Sequence, residues 1–178
     1  EDPWLFSTDA GIDSLLENLS SKMIPLSAVV NLFNGIQTSA ERAEKFSDKK
    51  EVYWFDEDAI KSETADAFVI EKYGKRYTIE KSILKPYFKP TKQNEKGMNS
   101  YSILRTDKRI IFPYNTDGSL ISIDVMRNSY PGAFEYLTDC YDRLVPKVLS
   151  KRNVGRDVKD ATPDTWYKYG RTQALTSF

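Results

Sequence analysis

Arg171 stands beside Gly170 and two positions before Gln173, residue types that suit the edges of nucleobases. A guanidinium is a planar fork that can grip a guanine edge or two phosphate oxygens, and the adjacent glycine lets the backbone come close. The same fork could instead pair with a carboxylate or stack on Trp166. Gln173 carries an amide that matches adenine, although a lone glutamine is more often a plain surface residue. Gln37, Thr38 and Ser39 follow Gly35 at an expected strand end. There, short polar side chains and free amides could hold a phosphate or simply cap the turn. Lys85, Lys89, Lys92 and Lys96 lie in or beside a polar stretch. Lys108 and Arg109 are expected at a hairpin tip. All six suit phosphate contacts and equally suit an ordinary solvated surface.

What the chain lacks narrows the chemistry further. It contains no histidine, which excludes Ser-His-Asp and Cys-His nucleophilic machinery, while a non-histidine acid–base pair stays open. One cysteine, Cys140, cannot build an intrachain disulfide framework, and without histidine it leaves no basis for a structural zinc site; a cytoplasmic setting fits. Asp56, Glu57, Asp58, Glu63 and Asp66 are numerous enough to bind metal, but no Glu-x-Lys triplet accompanies them, and such a run more often forms a solvated face. There is no Gly-x-Gly-x-x-Gly or phosphate loop. No apolar run is long enough to cross a bilayer. The net charge is zero, yet residues 1–74 hold 7 Lys/Arg against 15 Asp/Glu, and residues 75–178 hold 19 against 11. A positive later half would supply long-range attraction for a polyanion.

The elements that must position these residues follow from periodicity. Thr8 or Asp9 caps a predicted helix with Ile12, Leu15, Leu16 and Leu19 on one face, ended by Pro25. Leu26 to Gln37 reads as a strand bent at Gly35, and Val52–Phe55 as another. Ala67–Ile70 and Arg76–Ile79 flank a turn at Tyr73-Gly74-Lys75, a hairpin. Ile83 to Phe88 suggests a short helix stopped near Pro86 or Pro90. Strands are expected at Tyr101–Leu104, Arg109–Tyr114 and Leu120–Ile123, with Phe112 in the core and Tyr114 at the strand's mouth. Tyr130-Pro131-Gly132 leads into a helix whose buried stripe is Leu137, Tyr141, Leu144 and Val148, kinked at Pro146. Trp166 is expected in the core. The predicted class is α+β: a mixed or antiparallel sheet with hairpins, packed by an N-terminal helix and a helix in the later half. The 178 residues form one predicted domain, with 1–28 as a helical lead-in and 29–173 as the core. The opening Glu1-Asp2-Pro3, without an initiator methionine, reads as an internal segment of a longer polypeptide.

Five segments in series resemble the TaqI-like C-terminal specificity domain of adenine-N6 DNA methyltransferases and fused restriction–modification enzymes. They are Asn34-Gly35-Ile36-Gln37-Thr38-Ser39; Ile79-Glu80-Lys81-Ser82-Ile83-Leu84-Lys85-Pro86-Tyr87; Lys108-Arg109-Ile110-Ile111-Phe112-Pro113-Tyr114; Tyr130-Pro131-Gly132-Ala133-Phe134-Glu135-Tyr136-Leu137 with the later Leu144, Leu149 and Lys151-Arg152; and Trp166-Tyr167-Lys168-Tyr169-Gly170-Arg171-Thr172-Gln173. Such domains recognise a short duplex sequence while a separate methyltransferase domain of the same polypeptide uses S-adenosylmethionine, and some members add an endonuclease. The resemblance implies sequence-specific double-stranded DNA as partner, no cofactor within this domain and no membrane. It also places Lys85, Lys89, Lys92 and Lys96 in or beside the family's variable region. The methyltransferase motif Asn/Asp-Pro-Pro-Tyr/Phe is missing; Ile111-Phe112-Pro113-Tyr114 lacks both its first residue and its second proline. Two other classes remain open: a protein-interaction or scaffolding module, expected to expose an apolar patch, and a metal-dependent nuclease or other carboxylate enzyme, expected to gather Asp56–Asp66 in a pocket.

Overall fold

The computed structural model describes residues 12, 14, 18, 19, 22–24, 28, 29, 35–40, 52–88, 108–151, 155–173 and 175–177. The chain divides into two compact units, Glu1–Asn34 and Gly35–Phe178. In the first, residues 12, 14, 18 and 19 are helical, as the spacing predicts, but Ile12 and Leu19 are exposed. Leu15 and Leu16 lie outside the described residues. Ala28 and Val29 form a helical turn where a strand is expected, with Val29 facing solvent.

Among the described residues, the second unit holds two three-stranded antiparallel sheets. β1 (Trp54–Asp56) pairs with β6 (Lys108–Ile111), which also pairs with β5 (Leu84–Tyr87). The other sheet is a meander of β2 (Ile60–Glu63), β3 (Ala67–Lys72) and β4 (Lys75–Glu80). The chain passes from the first sheet to the second through a single 3-10 turn at Glu57–Ala59 and returns through another at Lys81–Ile83. The β3–β4 hairpin is the predicted one. Tyr73 (φ 55°) and Gly74 (φ 77°) both adopt left-handed backbone, the mirror-image turn whose twist matches the flanking strands. Lys72 ties the sheets together, its ammonium donating to the Trp54 carbonyl at 2.5 Å.

Among the described residues, three α-helices follow: α1 (Ile123–Ser129), α2 (Pro131–Asp139) and α3 (Tyr141–Leu144). Pro131 suits the first turn of α2, where its missing N–H has no intrahelical acceptor. The next two amides are taken by a side chain from β4. Glu80 accepts from Gly132 N at 2.8 Å and Ala133 N at 3.0 Å, placing a carboxylate at the positive end of the helix. Gly132 permits this seating, because a Cβ there would fall 1.7 Å from the Thr78 carbonyl oxygen.

Several expectations are corrected. Residues 84–87 form an edge strand, not a helix. Pro86 is tolerated because it sits on the sheet's rim, where a missing N–H costs no ladder bond. Leu120 makes only an isolated bridge to Tyr114, and Ser122 then caps α1 by accepting from Val125 N, so the expected strand is the entry to a helix. The long helix breaks at Cys140 and again before Pro146; Leu137 and Leu144 are buried, whereas Tyr141 and Val148 face solvent. β2 has no counterpart among the predicted strands, since Ile60-Lys61-Ser62-Glu63 carries one apolar side chain.

The core is dense in tyrosine. Tyr53, Tyr136, Tyr167 and Tyr169 are wholly buried, with Tyr114, Phe112 and Trp166 beside them. Each of the four sends its hydroxyl to a backbone carbonyl: Tyr53 to Tyr167 (2.7 Å), Tyr136 to Val52 (2.6 Å), Tyr167 to Ile121 (2.5 Å) and Tyr169 to Ile111. These bonds stitch the C-terminal segment to the strands. Tyr114 lies inside this cluster, not at its mouth, and its oxygen accepts the Tyr169 amide at 2.6 Å. Burial pushes the Tyr167 phenol up to about 12 and holds that of Tyr114 well above its usual range.

Candidate functional site: a two-segment ribbon at Gln37 and Arg171

Two candidate groups more than 130 residues apart in sequence meet in space. Gln37 and Arg171 are partners in an antiparallel bridge, with Arg171 N donating to the Gln37 carbonyl at 3.2 Å and Gly170 N to the Thr38 carbonyl at 3.1 Å. The approach is close enough to demand glycine at 170: a Cβ there would lie 2.0 Å from Ser39 Oγ and 2.3 Å from Ser39 Cβ. Ser39 itself takes left-handed backbone (φ 56°), a costly conformation for a residue with a side chain.

Beneath the ribbon lies Arg156, only 5% exposed. Its guanidinium reaches four carbonyls from three stretches of chain: Nε donates to Leu144 (2.5 Å), Nη1 to Thr38 (2.9 Å) and Lys168 (3.1 Å), and Nη2 to Trp166 (2.8 Å). The cation also sits 5.5 Å from the centre of the Tyr53 ring. A guanidinium carries five donors in a fixed plane, so one side chain can hold these segments in a single relative geometry. Sequence reasoning overlooked Arg156. In a basic stretch it looks like any surface cation, and the signals that would reveal it are tertiary.

The predicted site residues therefore separate. Gln37, Ser39, Arg171 and Gln173 are exposed. Among the described residues, the Arg171 guanidinium has no carboxylate partner and does not stack on Trp166, which is buried against Tyr141 and Tyr167 instead. Thr38 is buried: its carbonyl serves Gly170 and Arg156, and its hydroxyl accepts from Ala40 N at 3.4 Å. The amides of Ala40, Gly170 and Arg171 are thus engaged within the ribbon and cannot cradle a phosphate. From this edge the Gln37, Ser39, Arg171 and Gln173 side chains reach solvent.

The sheet cations behave differently. Lys108 and Arg109 lie within the central strand β6, not at a hairpin tip. Lys108 is buried, its ammonium 2.5 Å from Asp56 and over the Trp54 ring at 5.5 Å. Arg109 lies 3.6 Å from Glu57. Lys81 likewise pairs with Glu63 at 2.5 Å. Lys85 is exposed on β5. Lys89, Lys92 and Lys96 lie outside the described residues. The acidic run at 56–66 is divided between β1, β2 and their connections, and three of its carboxylates face cations. Among the described residues, no three His, Cys, Asp or Glu side chains gather where they could hold a metal ion. Cys140 is buried, which pushes its thiol up to about 11, away from the reactive thiolate. No helix of the described residues is long and apolar enough to cross a membrane.

Comparison with known proteins gives one informative relationship. The chain is 31% identical over 181 residues to the type II restriction enzyme and methyltransferase RM.Eco57I of Escherichia coli. The match takes in 98% of this chain but 16% of that protein's length, so it spans a minor part of a much larger relative. No model of a known protein family matches, and no solved structure does.

Proposed function

We propose that this chain is the target-recognition domain of a restriction–modification protein, reading a short sequence in double-stranded DNA with the ribbon formed by residues 37–39 and 170–173. In this reading a separate domain of the same polypeptide binds S-adenosylmethionine and methylates adenine at N6, and an endonuclease accompanies it in some architectures. The setting is cytoplasmic. The target base must leave the stack to be methylated, and the recognition domain holds the duplex while it does so. Catalysis resides outside this chain, whose sequence has neither histidine nor a methyltransferase motif.

The observation that carries the proposal is the bridge between Gln37 and Arg171. It joins two segments that resemble specificity-domain motifs, and it leaves a guanidinium and a carboxamide outward on a rigid base. The end-to-end similarity to part of a restriction and methylation enzyme supports it. Lys85, exposed on β5, would position the phosphate backbone without reading sequence, and Lys89, Lys92 and Lys96 would do the same.

The test uses the full-length protein that carries this chain, comparing wild type with Arg171→Ala and with a Lys85/Lys89/Lys92 triple alanine variant. Arg171→Ala should lose site preference in duplex binding and in adenine methylation. The triple variant should bind all sequences more weakly and with a shallower salt dependence. If both variants bind and methylate specific DNA as wild type does, the assignment of this surface fails.

A further inference from the structure

Direct partners on an antiparallel pair project their side chains from the same face, with Cβ atoms about 5 Å apart. Gln37 and Arg171 are such partners in an isolated bridge between two segments, both exposed, and they differ in kind: one neutral amide with paired donor and acceptor, one cation with parallel donors. A two-stranded ribbon can enter the major groove, where successive base pairs are about 3.4 Å apart along the axis. Two long side chains leaving neighbouring positions therefore reach neighbouring steps. A carboxamide matches the N6 donor and N7 acceptor of adenine, and a guanidinium matches the O6 and N7 acceptors of guanine.

Building on the proposed DNA-reading role, we infer that Gln37 and Arg171 form one reading unit that specifies two adjacent base pairs, adenine by Gln37 and guanine by Arg171. A phosphate cradle is the competing use of this ribbon, and three of its backbone amides are already taken. The Gly170 and Arg171 amides are donated to Thr38 and Gln37, and the Ala40 amide to the Thr38 hydroxyl. An uncharged glutamine would also add little to a site built for phosphate. The ribbon cannot easily pivot to use its two side chains independently. Gly170 packs on Ser39 with no room to slide, and Arg156 clamps the Thr38 and Lys168 carbonyls on either strand. Gln37 thus moves from an expected phosphate contact to a determinant of base sequence.

The experiment selects bound duplexes from a randomised pool with the full-length protein, for wild type, Gln37→Ala, Gln37→Glu, Arg171→Ala and Arg171→Lys. Wild type should yield a motif containing adjacent adenine and guanine. Gln37→Ala should relax the adenine, and both Arg171 variants the guanine, by about 10-fold each. Gln37→Glu should change the preference at its own base pair towards cytosine, whose N4 amine donates to a carboxylate. Arg171→Lys should keep the wild-type salt dependence, since the charge stays while the fork is lost. Should either alanine variant melt early, the Glu and Lys replacements carry the same readout with polar bulk retained. A wild-type motif that survives all four substitutions, or relaxation at base pairs that are not adjacent, overturns the paired reader while leaving DNA recognition intact. A wild type that selects no motif overturns the recognition role itself, and the pair with it.

Discussion

Lys108 and Arg171 are both basic side chains on extended, antiparallel backbone, yet their circumstances are opposite. Lys108 is enclosed in the sheet with an Asp56 carboxylate and a Trp54 face, and its neighbours Arg109 and Lys81 also meet acids. Arg171 stands in solvent on a ribbon that rests on the buried Arg156, whose guanidinium donates to four carbonyls and faces the Tyr53 ring. The sheets use positive charge to satisfy their own carboxylates. The ribbon uses one arginine to build a rigid base and leaves another available. Proximity in a basic half of the sequence is therefore a poor guide to which of the described cations the fold already pairs with a carboxylate.

The strongest way to break this contrast is to remove the clamp. Arg156→Met should destabilise the protein by about 3 kcal/mol or more, because each buried carbonyl left without a donor costs about 1–3 kcal/mol. Arg156→Lys should recover only part of that loss, since an ammonium's three donors cannot span the fork's four contacts. Denaturant melts check both. A melt unchanged by Arg156→Met would show that the ribbon does not depend on it.

Next in size are the two glycines of close approach. Gly132→Ala should cost about 1–3 kcal/mol by forcing α2 away from the Thr78 carbonyl. Gly170→Ala should cost a similar amount and also lose site-specific DNA binding, because only the second displaces the reading edge. Equal loss of DNA binding in two variants of equal stability would erase the distinction between the regions.

Smaller effects are expected from the tyrosine core. Burial raises the Tyr77 phenol to about 12, reinforced by its hydrogen bond to Asp139, and burial, as the largest cause, takes Tyr167 as high. A folded-state value above the unfolded one near 10 means that the neutral phenol stabilises the fold fully below about pH 10. That contribution is lost as pH rises through the interval from about 10 to about 12. Tyr167→Phe should lower stability near neutrality by about 1 kcal/mol, through the lost bond to the Ile121 carbonyl, and flatten the alkaline decline. Circular dichroism melts from pH 8 to pH 12, taken as round laboratory settings roughly bracketing the phenol range, would register both changes. Smallest of all, Arg171→Ala should alter stability by no more than about 0.5 kcal/mol, as expected of an exposed side chain.

Sequence patterns gave access to the hairpin at Tyr73-Gly74, the α+β class and the start of α2, because each rests on local chemistry: a turn residue, alternation, a proline at a helix entry. They misread residues 84–87, where Leu, Tyr and Phe around Pro86 fit a helix or an edge strand equally, and only pairing with β6 decides. They also misread Leu120–Ile123, where the capping role of Ser122 was overlooked. Lys108 was expected at a turn because the polar Thr106-Asp107-Lys108 run looks like one. Its burial against Asp56 depends on a partner 52 positions earlier. At the candidate site, the residue types at 37–39 and 171–173 were legible. Their meeting was not, since it depends on Arg156, Gly170 and the hydroxyl network of four buried tyrosines.

Sequence preference of duplex binding by the full-length protein, followed beside its salt dependence, tests the contrast between the two cations most directly. Replacing Arg171 with alanine should relax preference at one base pair by about 10-fold, whereas replacing Arg109 should leave both preference and the slope of log affinity against log salt as they are. A reversed result, with Arg109 governing slope and sequence preference and Arg171 silent, would mean that DNA meets the sheet and not the ribbon.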